Sequence, residues 1–351
     1  IQGPQPDIAG SADGNIDPVY KVYPKTTFKS VKQTPGDGSD VSILSWSGGA
    51  PPAPIDQNTA WQAIGKDANV NFKLTFVPFA DYYTTKLATT IAGGDLPDML
   101  SIINDPTIVL LPEFFDQKCV DLTPYLGGDA IKDYPNLAAL PTRPWTTTVF
   151  NGKIYGVPQP LRPFFWWHWV HQELLDQAGL QQPKDAQDWK KQLQQLTNPQ
   201  KRIWGTGVEG GPQYAFGVGN GLMTSIFKAP NNWSVDPSSG KFTAAQETDQ
   251  FKAAVSFAHD LYAAGVFDPD GTGWNTLSAR DAFIARTLAY RFDGLDANYY
   301  LQGPKMDPAA NVQVVQPFSN DGSKPVYYFG RPNFGLSLIH ISEPTRQAEI
   351  S

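Results

Sequence analysis

The sequence predicts an α/β protein of two lobes, and three observations carry that reading. Short β-prone runs alternate with helical periods from residue 41 to about 105, and the same alternation returns beyond residue 160. The chain has 351 residues, more than one domain commonly holds. Its side chains are 41% apolar and 17% charged, a globular composition able to fill two cores.

Residues 1–40 carry Gly, Pro, Asp, Ser and Thr without apolar periodicity and read as a solvated linker, so folded structure starts near Val41. Val41 to Trp46 is a β-prone run ended by Ser47-Gly48-Gly49. From Gln57 to Asn69, Ala60, Trp61, Ile64 and Ala68 fall on one helical face. Phe72 to Pro78 alternates as a strand. Asp81 is placed to cap a helix on which Tyr83, Leu87 and Ile91 share a face, and Gly93-Gly94 stops it. Asp98 to Ile102 is the third strand, which completes β-α-β-α-β and predicts a parallel sheet whose ligands sit at the strands' carboxyl ends. Beyond residue 160 come a Trp-rich strand, helices at 171–179 and 185–196, and a strand near Trp204 to Val208. A helix from Glu247 to Ala264 follows, with Phe251, Ala254, Val255, Ala258, Leu261 and Tyr262 at helical spacing.

Composition excludes several functions. A formal charge of −7, with Lys190-Lys191 and Lys201-Arg202 as the largest basic runs, makes nucleic acid a poor partner. The greasiest run, Phe164 to Val170, is far shorter than the ~18 residues of a membrane span and contains His168. The lone Cys119 rules out an internal disulfide framework and any multi-cysteine zinc site. His168 and His171, three apart in strand-like sequence, point to opposite faces, so no metal is assigned to them. Asp268 to Gly273 has only part of a calcium loop and reads as a turn. No phosphate loop, nucleophile elbow or dinucleotide fingerprint occurs, and no cofactor is expected. The ten tryptophans exceed what packing needs and suggest a surface that uses flat rings.

The ends need separate reading. The sequence shows no initiator Met, signal peptide or lipid-accepting Cys at its start, so the natural beginning is expected to be either processed away or missing. Leu336 to Ser351 resembles the conceptual translation of a transposase-type sequencing adapter. It is expected to be a loose, non-native tail on a chain truncated near Gly335.

Five motifs, in order, carry a family resemblance. They are Gly94-Asp95-Leu96-Pro97-Asp98, Asp121-Leu122-Thr123 with Tyr125, Gly152-Lys153-Ile154-Tyr155-Gly156-Val157-Pro158, Ala178-Gly179-Leu180 with Pro183 and Trp189, and Tyr262 with Gly265 and Pro269. Together they resemble the extracellular solute-binding proteins of the maltose-binding class, the receptors of ABC importers. The resemblance implies a type II periplasmic-binding-protein fold. Residues 41–160 then form lobe I, 161–311 lobe II, 312–335 the return crossing, and 336–351 the tail. It further implies a monomer that captures a carbohydrate, an oligosaccharide in the first instance, between two hinged lobes and delivers it to a membrane permease. Such a protein acts outside the cytoplasmic membrane or in the periplasm, lipid-anchored or free. It is not an enzyme. The usual Asn-Lys-Asp before the helix is replaced by His168-Trp169-Val170-His171, which leaves ligand preference open.

Sugars present CH faces and hydroxyl pairs, so aromatic platforms and amide, carboxylate or guanidinium groups are wanted at strand ends. Trp46 and Ser47 follow the first strand, unless they are simply a buried ring and a turn. Asn104 and Asp105 follow the third, where the resemblance places a ligand carboxylate; an Asx turn before Pro106 is the alternative. Asp293 and Asp296 follow the Leu288 to Arg291 strand and bind hydroxyls or sit in a solvated loop. Gln213, Tyr214, Trp274 and Asn275 are loop-borne candidates, and Arg162 reads hydroxyls or pairs an acid. Asp98 is assigned to local backbone capping. The competing class is a glycoside hydrolase, with two of Asp105, Asp293 and Asp296 as its carboxylate pair.

Overall fold

The computed structural model describes residues 5–11, 16, 18–22, 31, 33–47, 51–102, 111–161, 166–208, 216–218, 221–274, 276–294, 310–328 and 333–339. The chain divides into two compact units, residues 1–163 with 331–351, and residues 164–330.

In the first unit, β1 (Asp40–Ser47), β2 (Asn71–Pro78) and β3 (Met99–Ile102) are parallel, with β1 between the other two. The helix Thr59–Ala68 links β1 to β2. Asn58 opens it by accepting from the Trp61 N–H, and Asn69 closes it at φ 52°. Trp61 packs edge-on against Phe72 on one face of the sheet. On the other face Leu44, Leu100 and Ile102 join Tyr82, Leu87, Phe115, Cys119 and Tyr155 in one buried cluster. Asp98 binds backbone, but that of β1 across the sheet and not of its own segment. Its carboxylate accepts from the Ser42 N–H at 2.8 Å and the Ser42 hydroxyl at 2.6 Å, tying the starts of β1 and β3.

The helix after β2 begins at Phe79, so Asp81 lies in its first turn and is no cap. Residues Tyr82–Lys86 form a π-turn before the α-helix Leu87–Gly93. The wider turn aligns residues five apart, which brings Tyr82 as well as Leu87 inward. The Tyr82 hydroxyl then donates to the Ser101 carbonyl at 2.6 Å. Further on, β4 (Val149–Phe150) and β5 (Lys153–Ile154) make a tight hairpin whose corner, Asn151 and Gly152, takes positive φ at both residues. The strand β6 (Gly156–Pro160) follows.

In the second unit, β7 (Trp166–His171), β8 (Trp204–Thr206), β11 (Leu288–Gly294) and β12 (Val312–Val314) form a sheet in the order β12-β7-β11-β8. β7 is antiparallel to β11 and β12, and β8 is parallel to β11. Because β12 pairs with β7 and Val315 and Phe318 are buried in this unit's core, residues 312–328 belong to the second unit and are not the return crossing. A small hairpin, β9 (Trp233–Val235) with β10 (Phe242–Ala244), lies apart from the sheet. One face of the sheet is covered by the helices Ala186–Leu196 and Asp249–Ala263, around the fully buried Trp189 and Tyr290. The long helix buries Ala254, Phe257, Ala258 and Leu261. Val255 and Tyr262, 44% and 61% exposed, face outward, so the buried stripe keeps Ala254, Ala258 and Leu261 of the expected one but turns toward Phe257 at its edge. At Gly205 in β8 a Cβ would stand 2.8 Å from the Leu193 carbonyl oxygen, so helix and strand meet only because that position is glycine.

The expected loose tail is corrected over its first residues. β13 (Asn333–Ile339) lies between β3 and β6 and runs antiparallel to both, with Leu336 opposite Ile102 and Ile339 opposite Met99. The physical reason is local: Leu336-Ser337-Leu338-Ile339 is a β-prone run, and the backbone groups of β3 and β6 need a partner.

Candidate functional site

The strand β7 alternates, as a strand must. Trp166, His168 and Val170 take one face of the second unit's sheet; Trp167, Trp169 and His171 take the other. Across the antiparallel register, Phe292 stands opposite His168 and Tyr290 opposite Val170. The Trp166 and Phe292 rings stack with centroids 5.9 Å apart and planes 17° apart. On the far edge of β7, the Val315 N–H donates to the His168 carbonyl at 2.7 Å, which fixes the segment Val315 to Phe318 as a wall. The short helix Leu222–Ile226 supplies Leu222, Ser225 and Ile226, and Asn231, Gln316, Tyr327 and Tyr328 complete the lining. The result is a cavity of about 170 Å³ at the carboxyl end of β11, room for on the order of ten water positions. Strand carboxyl ends are where open α/β sheets bind ligands.

His168 is 8% exposed and touches the rings of Trp189, Tyr290 and Phe318. Its Nε2 is buried without a hydrogen-bond partner among the described residues. Burial among these rings pushes its pKa down to about 3, so the imidazole is neutral near pH 7. His171 lies on the opposite face, with Nε2 2.7 Å from the Phe283 carbonyl and Nδ1 3.0 Å from Glu173. Burial pushes the Glu173 carboxyl up, but hydrogen bonds from His171 and the Asn311 N–H outweigh it and hold the group at about 2. Arg286 completes this cluster at 2.8 Å. The two histidines thus serve different cores. No grouping of metal-ligating side chains occurs among the described residues.

Of the residues chosen from sequence, Asp293 is inside β11 and not in a loop. At 2% exposed it accepts from Arg280 Nε at 3.2 Å, from Arg291 Nε and Nη2 at 3.1 and 3.0 Å, and from the Gly294 N–H at 2.7 Å. It joins the helix Thr276–Ile284 to β11 on the sheet face away from the cavity. A carboxylate so engaged is a poor hydrolytic acid or base. Trp274 is half-buried and packs against a second cluster on that same face, around Trp169, Phe283, Leu288 and Val312. In the first unit, Trp46 and Ser47 end β1. Trp46 leans on the core and meets Phe79 edge-on at 5.3 Å, and Phe79 in turn is 4.9 Å from Tyr83. Asn104, Asp105, Arg162, Gln213, Tyr214, Asn275 and Asp296 lie outside the described residues.

The structure therefore places Trp46 and Ser47 at one strand end and Asp293 and Trp274 in packing roles of the second unit. The cavity is built from residues the sequence reading did not select: Trp166, His168, Ser225, Asn231, Phe292 and Gln316. The alternation of β7 was the available signal for Trp166 and His168. Nothing local in the sequence marks Asn231 or Gln316, which reach the cavity by chain topology alone.

A scan against protein families matches residues 52–337 to one model, described as bacterial extracellular solute-binding protein. Among curated proteins, the chain is 25% identical over 231 residues to Lipoprotein LipO of Bacillus subtilis, covering 63% of this chain and 43% of that one. It is 25% identical over 320 residues to the polygalacturonan/rhamnogalacturonan-binding protein YtcQ of the same organism, covering 88% and 61%. The chain spans roughly half the length of these relatives. Among solved structures, the ABC substrate-binding protein Lmo0181 from Listeria monocytogenes, in complex with cycloalternan, matches with a TM-score of 0.60 at 18% identity. The match covers 90% of this chain and 74% of that one, and it shows the shared fold. With the family model covering most of its length, this chain belongs to the bacterial extracellular solute-binding protein family.

Proposed function

We propose that the chain is the carbohydrate-capturing component of a bacterial ABC importer, acting outside the cytoplasmic membrane and passing its ligand to a membrane permease. It is tethered there by a lipid or lies free in the periplasm, and the lipoprotein name of one relative supports the tether. The observation that carries the reading is the cavity walled by the stacked Trp166 and Phe292 at the carboxyl end of β11. Stacked rings meet the CH face of a sugar, and the Ser225 hydroxyl with the Asn231 and Gln316 amides suits its hydroxyls. Two of the similar proteins, one relative and one solved structure, have carbohydrates in their names or titles, which supports the same class. Binding without turnover is the expected behaviour.

The test is a thermal-shift panel of mono- and oligosaccharides beside amino acids, peptides and polyamines. A saccharide that raises the melting temperature and is recovered unaltered supports the proposal. A shift with peptides alone, or hydrolysis of the bound saccharide at a catalytic rate, refutes it.

A further inference from the structure

We propose that the second unit's cavity takes one uncharged glycosyl ring, its CH face on Trp166 and one hydroxyl hydrogen-bonded to the imidazole of His168. The inference rests on the carbohydrate reading and deepens it. His168 forms part of the cavity wall, is nine-tenths buried, and has an Nε2 with no hydrogen-bond partner among the described residues. A buried polar atom left unmet is costly, and a small rotation of the imidazole toward the cavity would let a bound hydroxyl meet it. Trp166, at the open end of β7, is 37% exposed and backed by Phe292, so one of its surfaces is supported while the ring stays reachable.

The chemistry of the wall selects charge. Held neutral by Trp189, Tyr290 and Phe318, the imidazole offers a donor and an acceptor, as a hydroxyl partner requires, but no cation. Ser225, Asn231 and Gln316 are likewise neutral. A uronate carboxylate placed here would lose its water against aromatic rings and face an uncharged ring nitrogen. The guanidiniums of Arg280 and Arg291 are turned to Asp293 on the opposite face of the sheet. The inferred ring therefore differs from the acidic sugars in the name of one relative.

The experiment titrates the full chain, by tryptophan fluorescence and calorimetry, with matched trisaccharides that differ only at C6: α-1,4-galactotriose against trigalacturonate, and cellotriose against its triuronate. Maltotriose and kestose extend the neutral set. Binding is expected among the neutral sugars. His168→Phe, which keeps a ring between Trp189 and Tyr290, should weaken it roughly 3- to 10-fold. His168→Gln, which restores a hydrogen-bonding group, should recover part of the loss. Trp166→Ala tests the platform without touching the core. Preference for the uronates, or unchanged affinity in both His168→Phe and Trp166→Ala, overturns this inference and leaves the carbohydrate reading standing. Binding of none of these sugars, with a peptide or amine bound in their place, overturns both.

Discussion

Acidification should unfold the second unit in a way that one residue controls. His168 has an ordinary value of 6.5 and is pushed down to about 3 by burial. The sign follows from which state binds the proton. Above pH 6.5 the imidazole is neutral in both states and contributes no pH dependence. Below 6.5 the unfolded chain takes up a proton that the folded chain refuses, so stability falls until the pH reaches the folded value near 3. Each pH unit in that window is worth about 1.4 kcal/mol, so lowering the pH from 6.5 to 4.5 should remove roughly 3 kcal/mol. Glu173, depressed to about 2 from 4.5, contributes stability above 4.5 that is lost as pH falls through 2, so it overlaps the His168 window only below pH 4.5 and leaves the range from 6.5 to 4.5 to His168. Urea titrations read by tryptophan fluorescence at pH 7, 6, 5 and 4.5 measure the slope for wild type and for His168→Phe. The variant should lose most of the slope and, at pH 5, be more stable than wild type. Equal slopes in the two proteins would refute the buried, neutral assignment.

Three other changes follow from the packing. Asp293→Ala leaves the guanidiniums of Arg280 and Arg291 without their shared carboxylate and should cost about 3–5 kcal/mol in urea midpoint measurements; a cost under 1 kcal/mol would mean the ion pairs are not structural. Trp274→Ala removes a ring packed on the cluster around Trp169, and should lower the melting temperature by several degrees without changing saccharide affinity. Loss of affinity at constant stability would instead restore the ligand role read from the sequence. Deleting residues 336–351 unpairs β3 from β13, so calorimetry should record a lower melting temperature for the first unit; an unchanged transition would return these residues to the loose tail first expected.

What the sequence revealed was governed by range. β1, the helix Thr59–Ala68, β2 and β3 follow from local periodicity and caps, and the structure repeats them to within two residues. The π-turn at Tyr82–Lys86 escaped because a helical wheel assumes a constant pitch. The placement of Val312–Val314 beside β7 escaped because pairing across more than a hundred residues leaves no local mark. Asp293 reads as a strand-end carboxylate free for ligand, since its two arginine partners become visible only when the helix Thr276–Ile284 packs on the sheet. Trp166 was legible through alternation, whereas Asn231 and Gln316 depend on loops brought in by the fold.

The most direct test of the account is a calorimetric titration comparing wild type with Trp166→Ala, using the saccharide that gives the largest thermal shift. Trp166 is at the end of β7, partly exposed, and stacked on Phe292. Removing an aromatic platform of this kind should weaken binding by about 0.5–1.5 kcal/mol, or roughly 2- to 12-fold, with the urea midpoint nearly unchanged. Wild-type affinity in Trp166→Ala would contradict the assignment of the binding site to this cavity.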